Sequence, residues 1–212
     1  MHHWLKLCWL ILFSTAALAD TNQLCKPTPF LNPGFDFKAF AQCQKFINKC
    51  PHMGAIVNET CVNKQVKKQS VCSQAQQLAK TLNVSVSQLT ATQVNQLTQF
   101  TVVFPADGQQ QFYLLTPEHC VIDTVIDPRK LDSNLAKQYK DKSFMMTTWG
   151  KPQYHTNADG SQSVDILLKI TDQCVACPTL GWATLEFTTA KDGSFLQARL
   201  KNFSEQQPQA AQ

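Results

Sequence analysis

The chain has 212 residues, 43% of them hydrophobic, with 19 basic and 15 acidic side chains and a formal net charge of +4. That length admits one domain with a real core or two small ones. So mild a charge, spread rather than clustered, excludes a nucleic-acid-binding footprint, and the lack of any heptad or solenoid period excludes a repeat architecture.

The opening stretch, "MHHWLKLCWLILFSTAALAD", places Lys6 ahead of an apolar run from Leu7 to Leu18 that ends on Ala17-Leu18-Ala19. This basic start, short apolar core and small-x-small ending predict a secretory signal peptide over residues 1–19. The run is too short for a membrane span, which needs about 20 apolar residues, and no later segment matches it. The expected mature chain therefore begins at Asp20, is soluble and acts in the periplasm or outside the cell.

Removing Cys8 with the signal leaves eight cysteines, Cys25, Cys43, Cys50, Cys61, Cys72, Cys120, Cys174 and Cys177. An even count in an exported chain points to disulfides, and eight cysteines allow 105 pairings. Spacing narrows the choice. Phe37, Phe40, Cys43, Ile47 and Cys50 recur at helical spacing before Pro51. A second helix is expected from a cap at Asn58 or Thr60 through Leu82, with Ala75, Leu78, Ala79 and Leu82 on one face. Along an intact helix, Cys43 and Cys50 would lie about 10 Å apart and Cys61 and Cys72 about 16 Å. Both distances exceed the Cα limit of about 7 Å for a disulfide. An antiparallel helical hairpin would instead join Cys50 to Cys61 near its turn and Cys43 to Cys72 further out, given a tilted crossing or a frayed end.

From Leu78 to Leu97 one helix should end at Leu82-Asn83 and another start near Ser85 or Thr92. The segment is similar to the helical half of a LysM glycan-binding module, without that module's Gly-Asp-Thr turn and first strand, and equally to a helix-turn-helix. Two amphipathic helices covering a sheet are the reading adopted, which completes a cysteine-rich helical region over residues 20–98.

From Phe100 the period becomes that of strands, with Asp107-Gly108, Asp159-Gly160 and Asp192-Gly193 each set between alternating runs. Asp-Gly in that position is a strong hairpin signal. An antiparallel meander over residues 99–203 follows, interrupted by a helix near 131–142 carrying Leu131, Leu135 and Tyr139. One sheet face should hold Val164, Ile166, Leu168 and Ile170, then Ala183, Leu185 and Phe187, then Leu196, Ala198 and Leu200. The tail, 204–212, is polar and reads as disordered. The fold class is α+β, helices first and sheet after.

"DQCVACP", 172–178, is the most enzyme-like motif. A thioredoxin-type site needs a helix directly after the first cysteine to lower its thiol pKa. Here strand-like sequence stands on both sides, and the nearest charge, Asp172, would raise a thiol pKa. A structural disulfide is expected, either between Cys174 and Cys177 or from these to Cys25 and Cys120; thiol-disulfide exchange through Cys174 and Cys177 is the alternative. His119 and Cys120 beside Cys174 and Cys177 would make a plausible zinc set, but a second close pair is missing and export favours oxidation, so no metal or other cofactor is expected. His52, His119 or His155 with a cysteine lacks any local signature of a Cys/His enzyme. The G-x-S-x-G elbow, phosphate loops, HExxH and calcium loops are absent. Three Asn-x-Ser/Thr triplets start at Asn58, Asn83 and Asn202. Trp149, Tyr154 and Trp182 are candidates for an interaction surface, because aromatic side chains give large contact area with few rotors.

The sequence thus predicts an exported, disulfide-stabilised, non-enzymatic binding module whose partner is another protein or an envelope component, an accessory of a cell-envelope or secretion complex. Thiol-disulfide exchange is the first alternative, and peptidoglycan-glycan binding through Leu78 to Leu97 the second.

Overall fold

The computed structural model describes residues 24–54, 56–105 and 108–207. The expected signal peptide, the end of the tail and Asp107 of the first Asp-Gly turn lie outside the described residues. Within them the chain is α+β with antiparallel sheets.

A short strand β1 (Cys25–Pro27) precedes helix α1 (Phe37–Ile47). Asp36 caps α1 by accepting from the Ala39 N–H at 2.8 Å, and Phe40, Cys43 and Ile47 form its buried stripe. After Cys50 comes a two-stranded ribbon, β2 (His52–Met53) and β3 (Ile56–Val57). Helix α2 (Glu59–Lys68) starts at Asn58, whose side chain accepts from the Cys61 N–H at 2.9 Å.

The expected long second helix is broken. Gln69 is extended, a 3-10 turn covers Ser70–Cys72, and α3 (Ser73–Leu82) restarts in a new direction. The cause lies in the apolar phase: Val62 and Val66 face the core, but the next positions on that stripe are Gln69 and Ser70, and burial resumes only at Cys72. The break carries Cys72 back to Cys43, with the two Cα atoms 5.0 Å apart.

Helix α3 ends on Asn83, which is left-handed with φ 55°. Ser85 and Gln88 then form a reciprocal capping box, yet it opens only a 3-10 turn, Val86–Gln88, before strand β4 (Leu89–Val94). The helix expected from Ser85 or Thr92 is therefore a strand. β-Branched Thr90, Thr92 and Val94 pair in register with Thr101, Gln99 and Leu97 of β5 (Leu97–Val103). Neither the helical pair of a LysM module nor a helix-turn-helix forms in this segment.

Strands β6 (Gln110–Leu115) and β7 (Cys120–Asp123) complete a five-stranded sheet in the order β1-β7-β6-β5-β4. A short helix α4 (Ser133–Gln138), capped by Asp132, leads to a second sheet. That sheet contains β8 (Phe144–Thr148), β9 (Gln153–Thr156), β10 (Gln162–Asp172), β11 (Thr179–Thr189) and β12 (Phe195–Ser204) in the order β12-β11-β10-β8, with β9 beside the other end of β10. Order continues past Phe203, because Ser204 ends β12 and the Glu205 carboxylate accepts from the Tyr139 hydroxyl at 2.7 Å.

Three layers result. Phe100, Val102, Tyr113, Leu115 and Val121 turn one face of the first sheet to the helices. Leu97, Leu114, Cys120 and Ile122 turn the other face to the second sheet, against Val164, Ile166, Leu168, Ile170, Ala183, Leu185, Phe187 and Ala198. Leu196 departs from the expected inner face and is 48% exposed. Phe195 pairs with Thr189 and Gln197 with Thr188, so Leu196 is the extra residue of a β-bulge and is turned outward.

Candidate functional site

A concavity of 760 Å³ lies where the ribbon, the start of α2, the Ser85 turn and the end of β5 meet. Ile47, Ile56, Val57, Val103 and Pro105 give it an apolar lining, while Glu59, Asn63, Ser85 and Ser87 supply polar groups. Its size falls in the range of ligand-binding clefts. Glu59 occupies the first turn of α2, where the helix dipole favours a carboxylate. The Ser85 hydroxyl donates to Glu59 Oε2 at 2.7 Å and the Ser87 hydroxyl to Oε1 at 2.9 Å. Ser85 thus does more than cap: with Ser87 it sets one carboxylate in place at the groove. Such a group can accept hydrogen bonds from an ammonium, a guanidinium or a hydroxyl. At the ribbon tip Met53 is 71% exposed and Ile56 50%. The Cys50–Cys61 disulfide ties the ribbon's base to α2.

Four disulfides join the described cysteines: Cys25–Cys120, Cys43–Cys72, Cys50–Cys61 and Cys174–Cys177. The first fastens β1 to β7. The last bridges the β10–β11 connection, where Gln173 has φ 66° and the Thr171 hydroxyl donates to the Cys174 carbonyl at 2.6 Å. Cys174 is exposed. No helix starts at this turn. The nearby cation, Lys142, is engaged with Asp172 at 3.0 Å. Cys120 and Cys174 therefore belong to separate disulfides, and no three His, Cys, Asp or Glu side chains gather to hold a metal among the described residues. His52 lines the groove, close in sequence to Cys50, whose sulfur is already bonded to Cys61.

The three aromatic candidates separate. Trp182 is 5% exposed and meets the half-exposed Trp149 edge-on, ring centroids 5.1 Å apart. The Lys169 ammonium sits 5.9 Å from the Trp149 ring. Tyr154 is turned inward: its hydroxyl donates to Gln99 Oε1 at 2.6 Å, linking the two sheets, and burial pushes the phenol up to about 12.

Beside the tryptophan pair, the outer face of the second sheet carries an ion network that pattern reading misses. Lys201 reaches Asp165 at 2.7 Å and Glu186 at 3.6 Å, Arg199 donates to Glu186, and His155 Nε2 lies 3.2 Å from Asp165. Strand alternation marks these positions as outward-facing, but the β12 bulges decide which of them meet. The groove had a legible signal in Ser85 and Gln88, whereas the reach of Ser85 and Ser87 to Glu59 depends on tertiary placement. No family model, curated protein or solved structure matches the chain.

Proposed function

We propose that the protein is an exported, non-enzymatic binding module of the periplasm or extracellular space, an accessory of a cell-envelope or secretion complex. It would hold a segment of a partner protein in the groove around Glu59. The observation that carries this reading is the combination at one place of an apolar cleft of 760 Å³, a carboxylate set by two serine hydroxyls, and the exposed Ile56 in its lining, paired on the ribbon with the exposed Met53. An apolar segment with one basic side chain fits that chemistry. Four disulfides suit an oxidising compartment.

The test is photo-cross-linking in the native host with a photoreactive residue at Met53 and, as control, at Lys191 on the far hairpin. A discrete adduct at position 53, absent at position 191 and lost on Glu59→Lys, is expected. Equal labelling from both positions, or labelling indifferent to Glu59→Lys, would refute the reading. Thiol-disulfide exchange is kept as a second reading because Cys174 is exposed; Cys177→Ser would then trap mixed disulfides through Cys174, and no trapped species removes it.

A further inference from the structure

A second concavity, 410 Å³, opens on the opposite side of the first sheet's strands from the β4 start, at their turns. Three connections build it: the loop through Pro33 and Phe35, the β4–β5 turn with Gln96, and the β6–β7 turn from Thr116 to His119. We propose that this cavity is a binding site for a neutral saccharide unit of a glycan. The proposal is independent of the groove at Glu59.

The lining contains no Asp, Glu, Lys or Arg side chain. It offers amides from Gln93 and Gln96, hydroxyls from Thr98 and Thr116, and the two phenyl rings of Phe35 and Phe37, whose centroids are 5.0 Å apart at 88°. A sugar ring presents hydroxyls at its rim and C–H groups on its faces, so it matches a site that mixes uncharged donors and acceptors with aromatic surface. An ionic ligand would find no counter-charge.

One group in the cavity lacks a partner. Thr116 is 2% exposed and lines the site, yet its buried hydroxyl makes no hydrogen bond among the described residues. Buried hydroxyls without partners are rare, because each forfeits its hydration. A ligand hydroxyl or acetamide entering the cavity would supply the missing bond. Two other polar groups are already positioned: the Thr98 hydroxyl donates to Gln93 Oε1 at 3.1 Å, and the Gln93 amide donates to the Asn95 carbonyl at 2.8 Å. The wall is braced from behind by Gly193, where an added Cβ would lie 2.8 Å from Pro117 and 2.9 Å from Gln96. This part of the wall is thus in place before any ligand arrives.

Amide chemical shifts of the full-length mature protein are followed while chitotetraose, cellotetraose or an uncharged tetrapeptide is added. Saturable shifts confined to Gln93, Gln96, Thr98, Thr116 and His119 are expected with at least one saccharide. A response to chitotetraose alone assigns an N-acetylated, cell-wall type of glycan; a response to both assigns recognition through ring hydroxyls. Thr116→Val, close in shape, is expected to leave the unfolding midpoint unchanged or raised while weakening saccharide binding at least tenfold, which a purely structural threonine would not do. Gln96→Ala gives a second reading from an exposed turn residue, again with weaker binding. The proposal is overturned if neither saccharide saturates, if the tetrapeptide alone shifts these amides, if the shifts fall at Glu59 and Ser85 instead, or if both variants bind as tightly as the parent.

Discussion

Glu186 is 7% exposed although it points away from the core of its sheet. The hydrogen bond from the Arg199 guanidinium, with the charges of Arg199 and Lys201, outweighs burial and holds its carboxyl below the ordinary value of 4.5. A carboxyl depressed in the folded state adds stability that is fully present above about pH 4.5 and is lost as the pH falls through the lower native value. Glu186→Gln should therefore lower stability at pH 7 by about 0.5–1 kcal/mol, since Arg199 is half exposed and water screens the pair. The deficit should shrink toward zero as the pH drops below 4.5. Urea midpoints at pH 7 and pH 3 check this; a deficit independent of pH would reject it. Position 186 was legible as outward from the alternation of β11, as were Val164, Ile166 and Leu168 as inward. Its partner was not, because the match with Arg199 depends on a register that shifts twice along β12.

At the scale of elements, local rules located ends better than identities. The caps at Asn58 and Asn83 sit where their side chains and backbone preferences put them. The same kind of signal at Ser85 predicts a helix that does not continue, because pairing of β4 with β5 across the Asn95 turn wins over a cap that stabilises one turn. The CxxC motif was readable as part of a strand connection from its flanks, and there it closes a short loop on itself. Loop length orders the expected effects of the disulfides. Cys25–Cys120 closes a separation of 95 residues and Cys174–Cys177 one of 3. In the chain-entropy account the first is worth about 4.7 kcal/mol and the second about 2 kcal/mol. Replacing Cys174 and Cys177 by serine should lower the urea midpoint least, and replacing Cys25 and Cys120 by alanine should cost at least twice as much. Cys25 and Cys120 are also packed against the sheet–sheet core, which adds to their deletion cost. Equal midpoint shifts for the two double variants would contradict this ordering.

For the whole molecule, the first sheet is the shared wall of both cores. Helices α1, α2 and α3 bury their stripes against Phe100, Val102 and Tyr113, and the second sheet buries its inner face against Leu114 and Ile122 from the other side. Sequence periodicity marked β5 and β6 as alternating strands around an Asp-Gly turn and did not reveal that layers cover both of their faces, because the covering of a central sheet is set by tertiary packing. The arrangement makes a specific claim about cooperativity. Leu114 is fully buried and faces away from the helices. Leu114→Ala should cost about 2–5 kcal/mol, from lost transfer energy and the cavity left behind. If the layers unfold as one unit, that loss must appear in every layer. Native-state hydrogen exchange of the variant should then show the slowest amides of α1 and α3 losing as much protection as those of β10 and β11. Two disulfides cross-link the helical layer, so independent persistence is its natural alternative. Its apolar stripes, however, share one core with the first-sheet residues Phe100, Val102, Tyr113, Leu115 and Val121. Unchanged protection in α1 and α3, with loss confined to the second sheet, would mean that Cys43–Cys72 and Cys50–Cys61 hold the helices as a separate unit.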